Sequence, residues 1–174
     1  MANDDWKDWF KKIYDLGAER YRAGRQTPAE IFESDEVKFL NGLGCSAQEL
    51  FDFVEDGLGG SPTYAEVEEV TAIRRDYFLN ELKGESTGIE IDAATLPAKA
   101  AAVDGISWLP RIIPKAKAKL RGEMPPELMY GCGGDRPFLK SVNVGLGEFL
   151  QVVRDAGDDN RKVIDFVKER AGRN

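Results

Sequence analysis

Three times in the first 70 residues a serine or threonine is followed three positions later by glutamate. The segments are Thr27-Pro28-Ala29-Glu30, Ser46-Ala47-Gln48-Glu49 and Thr63-Tyr64-Ala65-Glu66. This spacing lets the hydroxyl accept from the backbone N–H three residues on, while the glutamate reaches back to the cap's own N–H. Pro28 sits at a first helical position, where a missing N–H costs nothing. Each box opens an apolar stripe. Leu50, Phe51, Phe53 and Val54 follow the second, and Val67, Val70, Ile73, Tyr77 and Leu82 follow the third. Ahead of them Trp6, Trp9, Phe10, Ile13, Tyr14 and Tyr21 recur at helical spacing between Asp4-Asp5 and Gly24. The pattern predicts an all-α fold.

The periodicity dissolves between Gly84 and Gly105. Ile89 and Ile91 alternate with Glu90 and Asp92, which allows a short extended piece, and Ala93 to Val103 reads as a linker around Pro97. A helix resumes near Trp108 with Leu109, Ile112, Ile113, Ala116 and Leu120 on one face. Arg111, Lys115, Lys117, Lys119 and Arg121 fill the rest of its wheel, and Pro114 should kink it or delay its start.

Displacing the sequence by about 99 residues reveals self-similarity. Phe39-Leu40 falls on Phe138-Leu139, Glu49 on Glu148, Val54 on Val153 and Asp56 on Asp155. With one gap, Gly24, Pro28 and Phe32 fall on Gly122, Pro126 and Tyr130. We therefore expect two related helical units packed as one compact domain: residues 1–83, a linker over 84–106, and residues 107–174. Cys45 precedes the Ser46 cap and Leu50 lies at N4, the two positions of a hydrophobic staple. Val144 takes the place of Cys45 in the second copy, so Cys45 reads as a small packed residue rather than a nucleophile.

The copies differ most where chemistry could sit. Phe32-Glu33-Ser34-Asp35-Glu36-Val37-Lys38 corresponds to Tyr130-Gly131-Cys132-Gly133-Gly134-Asp135-Arg136-Pro137. Acids give way to glycines, a thiol and an Asp-Arg pair. Three readings stay open. The loop is a tight turn with Asp135 as helix N-cap and Cys132 packed. Or backbone N–H groups, Arg136 and the Arg111/Lys115 stripe receive a phosphate or carboxylate. Or Cys132 is a thiolate nucleophile whose ionisation Asp135 or Lys115 sets.

Composition removes whole classes of function. With no histidine, Ser-His-Asp and Cys-His nucleophile pairs and the usual zinc sets are excluded. The net charge of −7 argues against broad nucleic-acid or anionic-membrane affinity. No stretch approaches the ~18 apolar residues of a membrane span, and Met-Ala-Asn-Asp-Asp-Trp lacks the features of a secretory leader. The expected protein is cytoplasmic, without cofactor or metal. Its basic stripe would meet the acids Glu33, Asp35 and Glu36 of the first copy, a second copy of the chain, or an acidic partner surface.

The segment from Gly105 to Leu139 has a Leu109-Pro110-Arg111 helix start, then Lys115, then Tyr130-Gly131-Cys132, Asp135 and Phe138-Leu139. It resembles a bacterial family known as domain of unknown function 5069, in which a Leu-Pro-Arg helix precedes a Tyr-Gly-Cys…Asp…Phe-Leu segment. The resemblance covers the chain from about Gly105 onward and implies no activity. It does imply that Arg111, Lys115, Tyr130, Cys132 and Asp135 form one neighbourhood. The ligand-binding set expected on these grounds is Arg111, Lys115, Tyr130, Cys132, Gly133, Gly134, Asp135 and Arg136.

Overall fold

All three capping boxes form. In the computed structural model, which describes residues 5–172, the Thr27 N–H donates to Glu30 Oε2 at 3.0 Å while Thr27 Oγ1 accepts from the Glu30 N–H at 3.3 Å. The paired distances are 2.7 and 3.1 Å for Ser46 and Glu49, and 2.8 and 3.3 Å for Thr63 and Glu66. Each cap is worth about 1 kcal/mol. They start α2 (Pro28–Ile31), α4 (Ala47–Leu58) and α5 (Tyr64–Asn80). With α1 (Asp5–Arg22) and α3 (Ser34–Gly42) they make up the first half. Asp4 and the leading Met-Ala-Asn lie outside the described residues.

The second half carries α6 (Leu109–Arg121), α7 (Asp135–Ser141), α8 (Leu146–Ala156) and α9 (Asn160–Arg170). The fold is all-α, and among the described residues no helix is long and apolar enough to cross a membrane. The expected extended piece is displaced from Ile89–Ile91. It appears as an antiparallel two-stranded hairpin, β1 (Ala102–Val103) and β2 (Ile106–Ser107), turning through Asp104 and Gly105 at positive φ. Ile91 instead donates its N–H to the Glu123 carbonyl at 2.9 Å, and a 3₁₀ turn spans Ala93–Thr95.

The turns α3–α4 and α7–α8 are built alike. The Cys45 and Val144 N–H groups donate to Leu40 O and Leu139 O, both at 3.0 Å. Gly44 and Asn143 take the left-handed backbone at φ 74° and 55°, glycine and asparagine being the residues that tolerate it. Cys45 and Val144 are both buried, as staple residues should be.

Two helices depart from their expected faces because each is covered from several sides. α5 packs against both α6 and α8. Its buried set is Val67, Val70, Thr71, Arg74 and Phe78, while Ile73 and Tyr77 are only partly covered and Leu82 lies beyond the helix end. α6 touches α5, α8, α9 and β1, so Lys115 and Lys119 are buried along with its apolar face. Pro114 lies inside α6 without ending it. Of the residues at helical spacing in α1, Trp9 is half exposed against Phe39, whereas Trp6 is buried. One continuous core joins the helices of both halves.

Candidate functional site

Asp135 is completely buried, and a buried carboxylate must be matched by donors and positive charge. It finds three partners. Its Oδ2 accepts from Lys115 Nζ at 2.5 Å and from the Gly131 N–H at 2.9 Å, and its Oδ1 accepts from Trp108 Nε1 at 2.9 Å. Lys115 also approaches Cys132 Sγ at 3.3 Å. Both ends of the Lys115–Asp135 ion pair are excluded from water, with side chains 3% and 0% exposed.

This arrangement corrects the expected role of Asp135. It is the first residue of α7, with Gly134 in the cap position, and its carboxylate turns away from its own helix. Two of the N–H groups at the start of α7 are occupied internally: Arg136 donates to Cys132 O at 3.1 Å and Phe138 to Gly134 O at 3.4 Å.

The glycines are required by neighbours rather than by a ligand at two places. Gly131 takes φ +84°, and a Cβ there would lie 2.8 Å from Leu146 Cδ2. A Cβ on Gly134 would collide with the Trp108 ring. Trp108 itself sits at φ +72° immediately before α6, a strained conformation for a bulky residue. Its indole N–H bond to Asp135 and its packing on Gly134 hold it there. Only Gly133, exposed with open space around it, leaves its backbone free to approach another molecule.

The other expected site residues point elsewhere. Tyr130 is buried and donates to Leu146 O at 2.7 Å; burial pushes its phenol well above the ordinary range. Arg111 donates to Pro97 O at 2.8 Å and so ties down the connector between the halves. Arg136 spans from Gly131 O at 2.5 Å to Asp56 Oδ2 at 2.7 Å. Of the neighbourhood implied by the family resemblance, the structure joins Lys115, Cys132 and Asp135 directly. It turns Tyr130 and Arg111 to separate partners.

The loop opens on the side of Gly133 and Arg136, into a groove of about 730 Å³. Lys140 of α7, Asn143 and Gly145 of the following turn, and Arg170 of α9 line it, with Ser61 and Glu66 contributed by the first half. Arg170 is braced by Asn143 O at 3.1 Å and Glu148 Oε2 at 3.0 Å. Lys140 is exposed.

The basic stripe and the first-half acids pair differently from expectation. Lys119 binds Glu49 at 2.7 Å, while Glu33 and Glu36 are both engaged by Arg20 and Asp35 faces Lys38. Burial would raise the Glu49 carboxyl, but Lys119 and the Ser46 N–H outweigh it and hold Glu49 below the usual carboxylate range. Next to it burial pushes Asp52 up to about 6.

Sequence reasoning missed a second concavity of about 480 Å³ at the junction of α4, α5 and the end of α6, with Arg74 in its wall. Its signal was present: Arg74 follows Val67 by seven residues and Val70 by four, a cation on an otherwise apolar face. No protein-family model, no curated protein and no solved structure matches this chain.

Proposed function

We propose that this chain is a cytoplasmic binding module rather than an enzyme. It takes a small anionic ligand in the groove beside Gly133 and Arg136. The observation that carries this reading is the lining of the groove: Arg136, Lys140 and Arg170, with Glu66 as the one lining carboxylate, in a protein of net charge −7. The acids that pair with Arg136 and Arg170, Asp56 and Glu148, lie outside the lining. Arg136 and Arg170 are held in place by backbone carbonyls and carboxylates, so binding orders little that is not already ordered. The Lys115–Asp135 network fixes the loop and is structural.

We read the two halves as copies of one ancestral unit. The 99-residue displacement between the starts of α4 and α8, and the matched bonds of the α3–α4 and α7–α8 turns, support this. The second copy then gained its site when acids gave way to glycine. Titration with inorganic phosphate and with citrate, followed by amide chemical shifts, tests the proposal. We expect Gly133, Lys140 and Gly145 to shift, and Lys140→Glu to weaken binding by about fivefold or more by reversing a groove charge. Shifts confined to other regions, or unchanged affinity in Lys140→Glu, would refute it. Binding only to an acidic protein, and to neither small anion, would refute the small-ligand reading.

A second reading is favoured by one contact, Lys115 Nζ at 3.3 Å from Cys132 Sγ. An ammonium beside the sulfur would suit a thiol nucleophile. Iodoacetamide alkylation of Cys132 should then slow about tenfold in Lys115→Met. An unchanged rate would remove this reading.

A further inference from the structure

Arg74 is 3% exposed, yet its Nε and Nη1 reach no hydrogen-bond acceptor. Buried polar groups in folded proteins are almost always paired, and a guanidinium cannot escape by losing its proton. The carboxylate that best matches its charge is committed elsewhere: Glu49 Oε1 accepts from Lys119 at 2.7 Å and its Oε2 from the Ser46 N–H at 2.7 Å.

The surroundings hold the guanidinium in position. It lies over the Phe78 ring at 5.2 Å. Gly122, the left-handed cap of α6 at φ +71°, makes room for it, since a Cβ there would collide with Nη2. The cavity that Arg74 lines has a volume of about 480 Å³, within the range of small-molecule sites. Phe78, Met124 and Leu128 give it an apolar wall, and Glu49, Asp52 and Glu90 place carboxylates in its lining, Glu49 being paired with Lys119.

We propose that this cavity binds a small monocarboxylate with an apolar body, of the size of a branched-chain α-amino acid. The ligand carboxylate sits on the Arg74 guanidinium, and its body lies against Phe78, Met124 and Leu128. The lining acids select among anions. A phosphate ester or a tricarboxylate would bring a second negative charge towards Asp52 and Glu90, whereas the ammonium of an amino acid is attracted by them. Burial holds Asp52 up at about 6, and a neighbouring ammonium would relieve that cost. The site is built chiefly from α4, α5 and the segment after α6, apart from the Gly133 groove, so each can fail alone.

Thermal unfolding of the full chain tests this with three probes at about 10 mM, a concentration that detects a Kd of about 1 mM. They are L-leucine, 4-methylpentanoate, which lacks the amine, and 3-methylbutylamine, which lacks the carboxylate. Both carboxylates should raise Tm by about 3–5 °C, and the amine should not. Arg74→Met removes a buried charge in favour of a similar apolar volume, so it should fold and lose the effect. Ser86→Trp, at an exposed lining position, should lose it too, without touching Arg74. Lys140→Glu in the other groove should keep it. No rise with either carboxylate, an equal rise with the amine, or a rise retained in both Arg74→Met and Ser86→Trp would overturn the proposal.

Discussion

Replacing Asp135 by leucine strands three groups at once. The Lys115 ammonium remains 3% exposed without its counter-charge, and the Trp108 indole and Gly131 N–H groups lose their acceptor. Breaking a buried ion pair from one side costs about 3–5 kcal/mol, and each unmatched donor adds about 1 kcal/mol. Because the penalties overlap, we expect about 4–6 kcal/mol in total, a large share of the ~5–15 kcal/mol that holds a domain together. For a chain of this length that lowers Tm by about 10–20 °C. Lys115→Met leaves Asp135 its two N–H donors and should cost about 2–3 kcal/mol. The double variant Asp135→Leu/Lys115→Met has no buried charge, so it should be more stable than Asp135→Leu alone by about 2 kcal/mol. Urea unfolding followed by circular dichroism and tryptophan fluorescence measures all three, and Trp108 reports directly from within the network. A loss below about 1 kcal/mol in Asp135→Leu, or a double variant whose cost equals the sum of the single ones, would refute the account.

Three further outcomes follow from local geometry. Asp52 holds its proton to about pH 6 when folded and to about pH 4 when unfolded, so the folded state binds more protons across that window. Its contribution therefore falls as pH rises from about 4 to 6, by on the order of 1 kcal/mol. Gln48, Glu55, Asp56 and Lys119 surround the group, and comparing urea midpoints of wild type and Asp52→Asn at the two ends of the window isolates it. Ellman's reagent should titrate one thiol in the native protein and two in denaturant. Cys132 is partly exposed, whereas Cys45 is buried and burial pushes its thiol up to about 12. Gly134→Ala should destabilise by about 1–3 kcal/mol by driving a methyl into the Trp108 ring, measured as a drop in Tm.

The helix starts were legible because a capping box is complete within four residues. The Cys45 staple was legible for the same reason: its partners lie on the same short segment. The burial of Lys115 and Lys119 was not legible, because a cation on an amphipathic helix is normally solvated and only the packing of α5, α8 and α9 around α6 buries them. The Gly131–Gly134 loop stood out by composition. Its two crowded glycines, however, answer to Leu146 and Trp108, and Trp108 lies more than twenty residues away in sequence. Arg74 shows the same limit from the other side. Its position in an apolar stripe was visible, but the lack of an acceptor at its Nε and Nη1 depends on where Glu49, Lys119 and Ser46 meet.

α5 belongs to the first half by sequence yet is wedged between α6 and α8 of the second. Severing the chain at the hairpin would therefore yield pieces that each lack a wall. A stretch beginning at residue 107 would present bare apolar helix flanks, and the matching stretch ending before the hairpin would leave Val67, Val70 and Phe78 facing water. The halves are interlocked like clasped hands, so amide exchange in the middle of α5 should proceed only when the whole molecule opens.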